Sequence, residues 1–476
     1  MANLKEYKLG NIANIVVSNV DKKTTPNQKT VKLCNFVDVY YNWAITKSNY
    51  DSFMTATASD EEISKFSLKK GQVAFTKDSE TRDDIGIPAY IAEDFKDVVL
   101  GYHTALATPD ENIVTGEYLN AFMHSSYIQK YFELNATGSG MRYTLSQQTL
   151  HDIPILAPDL DAQHKIGSLL SKIDRKISIN REINRNLEEL AKQIYDYWFV
   201  QFDFPNKEGK PYKSSGGKMI WNETLKKEIP AGWEVKNVVD VIEPIERGIS
   251  YTSDDIKSNK GIPMLNLACY DKQGEYRSGE MKFFSGKCTD RVYPFEMFIA
   301  CTDMTQNADI IGRPIFAPTE YNEYVYSMDL AKITPKLISK MYLYYTLRTS
   351  FYHTYIKPFA SGTNVKHLNI YGIERYPLYI PSGDIQKRFE ERIRPIKIKQ
   401  QKCLQEIQEL TELRDSLLPL LMNGQVTLNS CLFNHGILFF VKFTIWEVKE
   451  YVTWMLKCRY YKVFNHNFVN LWTMNR

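Results

Sequence analysis

The sequence lacks most of the signatures that enzymes and membrane proteins carry. It has no Gly-rich phosphate loop. Ser215-Gly216-Gly217-Lys218-Met219 misses the upstream glycine and the following Ser/Thr of a nucleotide-binding loop, and reads as linker. There is no Asn/Asp-Pro-Pro-aromatic segment of an amino-methyltransferase and no acidic cluster of a nuclease. Glu280-Met281-Lys282 is a bare Glu-x-Lys triplet, which chance supplies in a chain with 24% charged residues. The seven cysteines form no C-x-x-C pair, which argues against a zinc ribbon and a disulfide framework and places the chain in a reducing cytoplasm. The eight histidines show no ligand spacing, and His103 and His367 read first as ordinary loop or strand residues. The start, Met1-Ala2-Asn3-Leu4-Lys5-Glu6, has no apolar signal core, and no run is long enough for a membrane helix. A charge surplus is also missing. The net charge is +3, and the segment from Ser430 on supplies a surplus of four (six Lys/Arg against two Glu), which leaves the rest at −1. Binding to nucleic acid would therefore use local basic patches and not the overall field. These absences point away from catalysis.

What the sequence has is repetition. Ala136-Thr137-Gly138-Ser139, Leu156-Ala157-Pro158 and Asp161-Ala162-Gln163 return as Ala360-Ser361-Gly362-Thr363, Tyr379-Ile380-Pro381 and Asp384-Ile385-Gln386, at an offset of 223 or 224 residues. A unit of this size is too long for a solenoid repeat and implies two similar domains, each followed by a long helix. In the first, residues 1–158, Val31 to Val37 and Gln72 to Thr76 are strand candidates and Leu119 to Leu134 reads as helix. In the second, residues 229–381, Pro263 to Leu267, Ala300 to Asp303, Gly312 to Phe316 and Tyr326 parallel elements of the first. Framework positions match while the polar loops differ, as expected of one scaffold carrying two recognition surfaces.

The two helices, within residues 159–204 and 382–426, carry heptads. Ile166, Ile173, Asn180, Leu187 and Ile194 are spaced by seven, with Leu169, Ile183, Leu190 and Tyr197 in the companion position. Phe389, Ile396, Cys403, Leu410 and Leu417 repeat the first set 223 residues later. This predicts two coiled-coil helices, each about 50 Å long for ~35 residues. Asn180 sits at the seam, where a buried amide fixes register, and Pro395 is expected to kink or restart the second helix. Residues 205–228 read as a polar linker. The atypical segment 427–476 is dense in aromatics. Lys442, Glu447, Lys449 and Glu450 break its apolar runs, which favours a vestigial or frame-altered extension over a membrane or partner anchor.

The polar loops hold residue types that read bases and clamp phosphates. In the first unit these are Lys77, Ser79, Thr81 and Arg82, then Ser139, Arg142 and Tyr143. In the second they are Arg247, Tyr251 and Thr252, then Thr302, Thr305, Gln306 and Asn307, then Thr363, Asn364, Lys366 and His367. A small-residue turn followed by Arg142 or Lys366 suits a phosphate. For any one residue a solvated surface loop is the competing reading; as a set the loops favour DNA.

Several landmarks resemble one family, the specificity (S) subunits of Type I restriction-modification systems. Residues 187–204 resemble the end of the central spacer helix, and residues 413–426 the C-terminal spacer. The Pro158 to Gln163 and Pro381 to Gln386 steps resemble the start of each spacer, and Ile229-Pro230-Ala231-Gly232-Trp233 the opening of the second recognition domain. The resemblance covers residues 1–426. It implies an α+β chain with two similar α/β target recognition domains separated by two long antiparallel coiled-coil spacer helices, in a pseudo-two-fold arrangement. Each domain would read half of a split double-stranded DNA site, and the helices would set the gap. Two methyltransferase (M) subunits would dock on the helices, and restriction (R) subunits would join the larger complex. Ile177, Trp198 and Phe199 on the first helix and Ile393 and Ile407 on the second, apolar beyond one seam, would serve that docking. The chain itself would be non-catalytic and hold no metal or cofactor; S-adenosylmethionine, ATP and Mg would belong to the partner subunits. Two rivals stay open. One is the recognition part of a fused restriction-methylation enzyme, although the chain begins directly at the recognition unit. The other is a coiled-coil adaptor indifferent to DNA.

Overall fold

The computed structural model describes residues 4–140, 142–256, 261–271, 274–277, 281–305 and 307–425. The reading of residues 427–476 and the proposed contact at Gln306 lie outside them. The chain forms two compact units. One runs to Lys176 and takes in the segment that starts at Leu410; the other is Ile177–Glu409.

In the first unit, Lys5–Lys8 pairs antiparallel with Pro154–Ala157 and closes the domain on itself. A five-stranded sheet has the order Ala13–Val17, Thr104–Pro109, Val73–Thr76, Pro88–Ile91, Ala44–Ile45. A three-stranded sheet places Lys29–Cys34 between antiparallel Met54–Ala58 and parallel Val98–Leu100. Leu33, Ala56, Ala74, Ala89, Val99 and Leu106 pack the space between these sheets. Val73–Thr76, Pro88–Ile91 and Val98–Leu100 are buried at every position, as their near-continuous apolar sequences suit, whereas Lys29–Cys34 and Met54–Ala58 start exposed and end buried. The expected helix over residues 119–134 is two helices, Gly116–Met123 and Ser126–Asn135. His124 ends the first, and Ser125 caps the second by accepting from the Ile128 amide.

The second unit repeats this plan. Glu234–Asn237 pairs with Pro377–Ile380. A four-stranded sheet runs Glu246–Arg247, Leu330–Ile333, Met297–Ala300, Pro314–Phe316. Ile262–Leu265 lies between antiparallel Lys282–Phe284 and parallel Val325–Tyr326. Helices Lys340–Thr346 and Ser350–Ile356 are capped by Ser339 and Thr349. The supposed linker is ordered. The Asp203 carboxylate accepts from the Ser214 amide at 2.7 Å and its hydroxyl at 2.6 Å, and Phe204 stacks on Tyr212 and Trp233. Met219–Asn222 and Lys227–Pro230 form a hairpin.

The duplicated proline-to-glutamine step has a physical reason. Gln163 is buried. Its amide oxygen accepts from the Thr115 amide at 3.0 Å, and its nitrogen donates to the carbonyls of Ile113 (3.0 Å) and Pro158 (2.9 Å). Gln386 does the same in the second unit, accepting from the Ser339 amide and donating to the Pro381 carbonyl, both at 2.7 Å. Each glutamine ties the start of a long helix to the capping residue of a domain helix, satisfying buried backbone groups.

The long helices are Leu160–Tyr195, 36 residues followed by a π turn at Asp196–Val200, and Gly383–Met422, 40 residues. Within the second unit they run antiparallel. Asn180 donates to the Glu406 carboxylate at 2.9 Å, Gln400 to the Asn184 carbonyl at 3.0 Å, and Lys397 to Glu188 at 2.5 Å. The second helix passes through Pro395 unbroken, against expectation. Pro395 is exposed, and only one backbone hydrogen bond is forgone there.

The companion half of the seam differs from expectation. Leu169 is buried as expected, but Leu190 and Tyr197 are exposed and Ile183 is half-buried, whereas Leu170, Ile177, Ala191 and Trp198, one residue later, are buried. Steps of three and four both stay on one helix face, so apolar spacing alone leaves the choice open. Ile393 and Ile407 are buried in the matching register 223 residues on. Ile177, Trp198, Ile393 and Ile407 are therefore seam residues, not free docking side chains. Phe199, fully buried, packs on Tyr342 (4.7 Å between ring centroids) and Phe389 (4.9 Å) inside the second unit.

No described helix is long and apolar enough to cross a membrane, and among the described residues no cluster of His, Cys, Asp and Glu could hold a metal.

Candidate nucleic-acid interface

Each unit carries a small three-stranded sheet that gathers most of the candidate loop residues. In the first unit Thr137–Ser139 pairs with Arg142–Thr144, which pairs with Asp78–Ser79. Ser139 lies opposite Arg142, and Tyr143 opposite both Gly138 and Ser79. In the second, Ala360–Ser361 pairs with Lys366–Leu368, which pairs with Thr302–Asp303, so that His367 faces Ser361 and Thr302 while Lys366 faces Asp303. The Gly138 and Gly362 backbones are left-handed (φ +132° and +122°). A β-carbon on either would meet the Arg142 or Val365 carbonyl oxygen at 2.1 or 2.0 Å. Glycine at this step is thus demanded by its own hairpin.

The first unit's sheet is braced from below. Lys77 donates to the Thr144 hydroxyl at 2.7 Å and pairs with Asp78 at 3.2 Å, and Asp78 meets the His103 ring at 2.6 Å. Burial works to raise the Asp78 carboxyl, but hydrogen bonds from Thr144 and His103 and the charge of Lys77 outweigh it and hold it below the usual carboxylate value. Lys77 therefore secures the hairpin and is no free phosphate clamp. Above the brace, Ser139 and Arg142 are exposed, as are Thr81 and Arg82; Ser79 is half-buried. The Arg82 guanidinium stands over the Tyr143 ring at 5.2 Å, a cation–π pair that stiffens the loop and still leaves the guanidinium edge free to donate.

The second unit uses the same frame differently. Asp303, fully buried, accepts from the amides of Thr305 (2.7 Å) and Ile310 (2.8 Å) and fixes a loop that presents Met304 and Asn307. Thr302 is buried, so its side chain is not available to a ligand. Asn364 and His367 are exposed, and Lys366, half-buried, donates to the Gly362 carbonyl at 2.6 Å across the turn. Arg247 and Tyr251 are not part of this sheet. The Arg247 guanidinium binds the Met328 carbonyl beside a cavity of about 320 Å³, and Tyr251 lies under Lys282 (5.9 Å). The other cations lining that cavity are also engaged. Arg291 donates to the Cys288 carbonyl at 2.6 Å, and Lys332 pairs with Glu246 at 3.0 Å.

Met304, 75% exposed at a braced loop tip, went unnoticed in the sequence because a lone methionine reads as core. An apolar side chain so placed suits a thymine methyl.

A family model described as "Type I restriction modification DNA specificity domain" matches residues 1–189 and 230–411. The chain is 23% identical to the Type I restriction enzyme HindI specificity subunit of Haemophilus influenzae, over 90% of this chain and 100% of that one. It is 24% identical to the Type I restriction enzyme MjaIX specificity subunit of Methanocaldococcus jannaschii, over 67% of this chain and 70% of that one. The crystal structure of the S subunit of a Type I restriction-modification system from M. genitalium shares the fold, with a TM-score of 0.51 at 14% identity, over 88% of this chain and 96% of that one.

Proposed function

This chain belongs to the Type I restriction-modification DNA specificity family, and from that premise we propose how a DNA sequence-specificity subunit of this build does its work. Each unit reads one half of a split, asymmetric DNA site with its small sheet. The helices hold the halves at a fixed gap. The observation that carries this reading is the pair of hairpins, 137–144 and 360–368. They stand on one scaffold, but the first with its neighbouring loop offers Ser139, Arg142 and Arg82, and the second with its neighbouring loop Asn364, His367, Asn307 and Met304. Equal frames with unequal donors suit two unequal half-sites. Arg82 suits guanine and the asparagines adenine, while backbone-positioning contacts fall to the hydroxyls, Arg142 and Lys366.

The chain itself performs no chemistry on this reading. Two M subunits, using S-adenosylmethionine, methylate adenine within the bound site; R subunits, using ATP and Mg, cut unmodified DNA. The complex works in the cytoplasm, in keeping with a sequence whose seven cysteines form no C-x-x-C pair. The M subunits dock on the exposed apolar side chains of the helices in the second unit, Ile179, Leu190, Tyr197 and Ile398, instead of the buried seam residues.

The test is a loop exchange. Replacing the loops around Arg82 and Arg142 by those of a relative should change one half of the methylated motif and leave the other half intact. A change in both halves would refute the two-reader account.

A further inference from the structure

At the junction of both long helices with the second recognition domain lies a buried charged cluster. Glu188 on the first helix accepts from Lys397 (2.5 Å) and Gln400 (3.2 Å) on the second, and from the Tyr345 hydroxyl (3.3 Å) of the domain helix. Arg348, at the end of that domain helix, approaches its other oxygen at 3.5 Å. Arg348 also pairs with Glu275 and donates to the Gly274 carbonyl at 3.1 Å, while the Lys397 ammonium lies 4.6 Å from the Tyr344 ring. All three central side chains are largely buried, at 17%, 7% and 12% exposure for Glu188, Lys397 and Arg348. Burial alone would raise the Glu188 carboxyl, but Lys397 and Arg348 overcome it and hold the group down at about 2, so it stays ionised. The cluster is not repeated. At the repeat offset, Glu188, Lys397 and Arg348 correspond to Thr411, Asp174 and His124.

We propose that Glu188, Lys397 and Arg348 are positioning residues that lock the register of the helix pair, and thereby set the length of the gap between half-sites; the second clause rests on the ruler reading above. A seam of apolar side chains alternating three and four residues apart can repack after a slip of one helical turn, ~5.4 Å. A buried carboxylate cannot follow. After such a slip it would leave its cations behind, and an uncompensated buried charge is among the costliest defects a core can hold. On DNA, ~5.4 Å is between one and two base pairs at ~3.4 Å each. The lock therefore has the right step size to separate adjacent gap lengths.

The experiment uses the full chain in two measurements. The first is adenine methylation, with its methyltransferase partner, of a DNA library in which the half-sites are fixed and the gap varies by single base pairs. The second is pulsed EPR on the chain alone, with nitroxides at Leu190→Cys and Lys402→Cys in a Cys288→Ser, Cys431→Ser, Cys458→Ser background. The parent should give one gap, preferred about tenfold or more over its neighbours, and one label distance. Glu188→Leu with Lys397→Met leaves Arg348 its bond to Glu275. It should show a second distance shifted by ~5 Å and methylate adjacent gaps at rates within about threefold of each other. A single distance in the folded double variant would overturn the lock, whatever the gap does. A second distance with an unchanged gap would uphold the lock and refute the ruler. If the double variant does not fold, Glu188→Gln takes its place with the same expected second distance, and a single distance there overturns the proposal.

Discussion

Replacing Phe199 by alanine separates a core role from a docking role. The ring is fully buried, in edge contact with Phe389 and Tyr342 and tilted against Trp198 and Trp233. These neighbours belong to different elements: the second long helix, a domain helix and the segment that opens the second domain. They are held in place elsewhere and cannot all collapse into the space left. Truncation then costs the transfer energy of the ring and a cavity, about 3–5 kcal/mol for a buried Phe→Ala. For a unit of this size one kcal/mol shifts the melting temperature by ~2–4 °C. The second unit of Phe199→Ala should therefore melt ~6–20 °C lower, read by calorimetry on the isolated chain. Leu190→Ala, exposed on the same helix, should move it by less than ~2 °C, since surface changes seldom exceed ~0.5 kcal/mol. A Phe199→Ala chain that melts like its parent but no longer binds its methyltransferase partner would refute this reasoning and return Phe199 to the surface.

Three further outcomes are expected. His124 is buried and stacked on Trp43 at 4.1 Å. Burial first, and the Arg414 charge second, lower its pKa to about 3. Only the unfolded chain takes up this proton as pH falls through ~6.5, so the first unit should lose stability from this residue with a slope rising from ~0.7 kcal/mol per pH unit at pH ~6.5 to ~1.4 near pH ~5, and keep its full contribution well above; denaturant melts of His124→Gln should lack that slope. Arg142→Ala, at an exposed phosphate-type position, should weaken DNA binding and lower the salt-dependence slope by about one, read by titration at several salt concentrations, whereas Lys77→Met should chiefly destabilise the hairpin. Inserting four residues beside Asn180 should change the methylated gap or abolish assembly with the partner; an unchanged gap with full activity would sink the ruler reading.

Much of this was legible in the sequence, for local reasons. The duplicated domains, the strands and the first heptad set follow from periodicity. The proline-to-glutamine step marks a place where one side chain must satisfy several backbone groups. The companion seam was not legible, because Tyr197 and Trp198 are neighbouring aromatics and only packing buries the second and exposes the first. Nor was the fate of individual cations. Lys77 finds Thr144 67 residues away and Arg247 finds Met328 81 residues away, and no local pattern announces such partners. Thr302 and Lys77 stand beside good DNA-reading residues, yet Lys77 is claimed by the brace beneath its sheet and Thr302 is buried. The buried Glu188 cluster was hidden for the opposite reason. Its members look like ordinary helix-surface charges until three elements close over them.

The most direct test of a split-site specificity subunit is a genome-wide map of methylated adenines with and without this gene. A single motif with two specified halves and one fixed gap should be methylated only when the gene is present. If every methylated motif persisted after its removal, while the partner subunits were still made, the account would be contradicted.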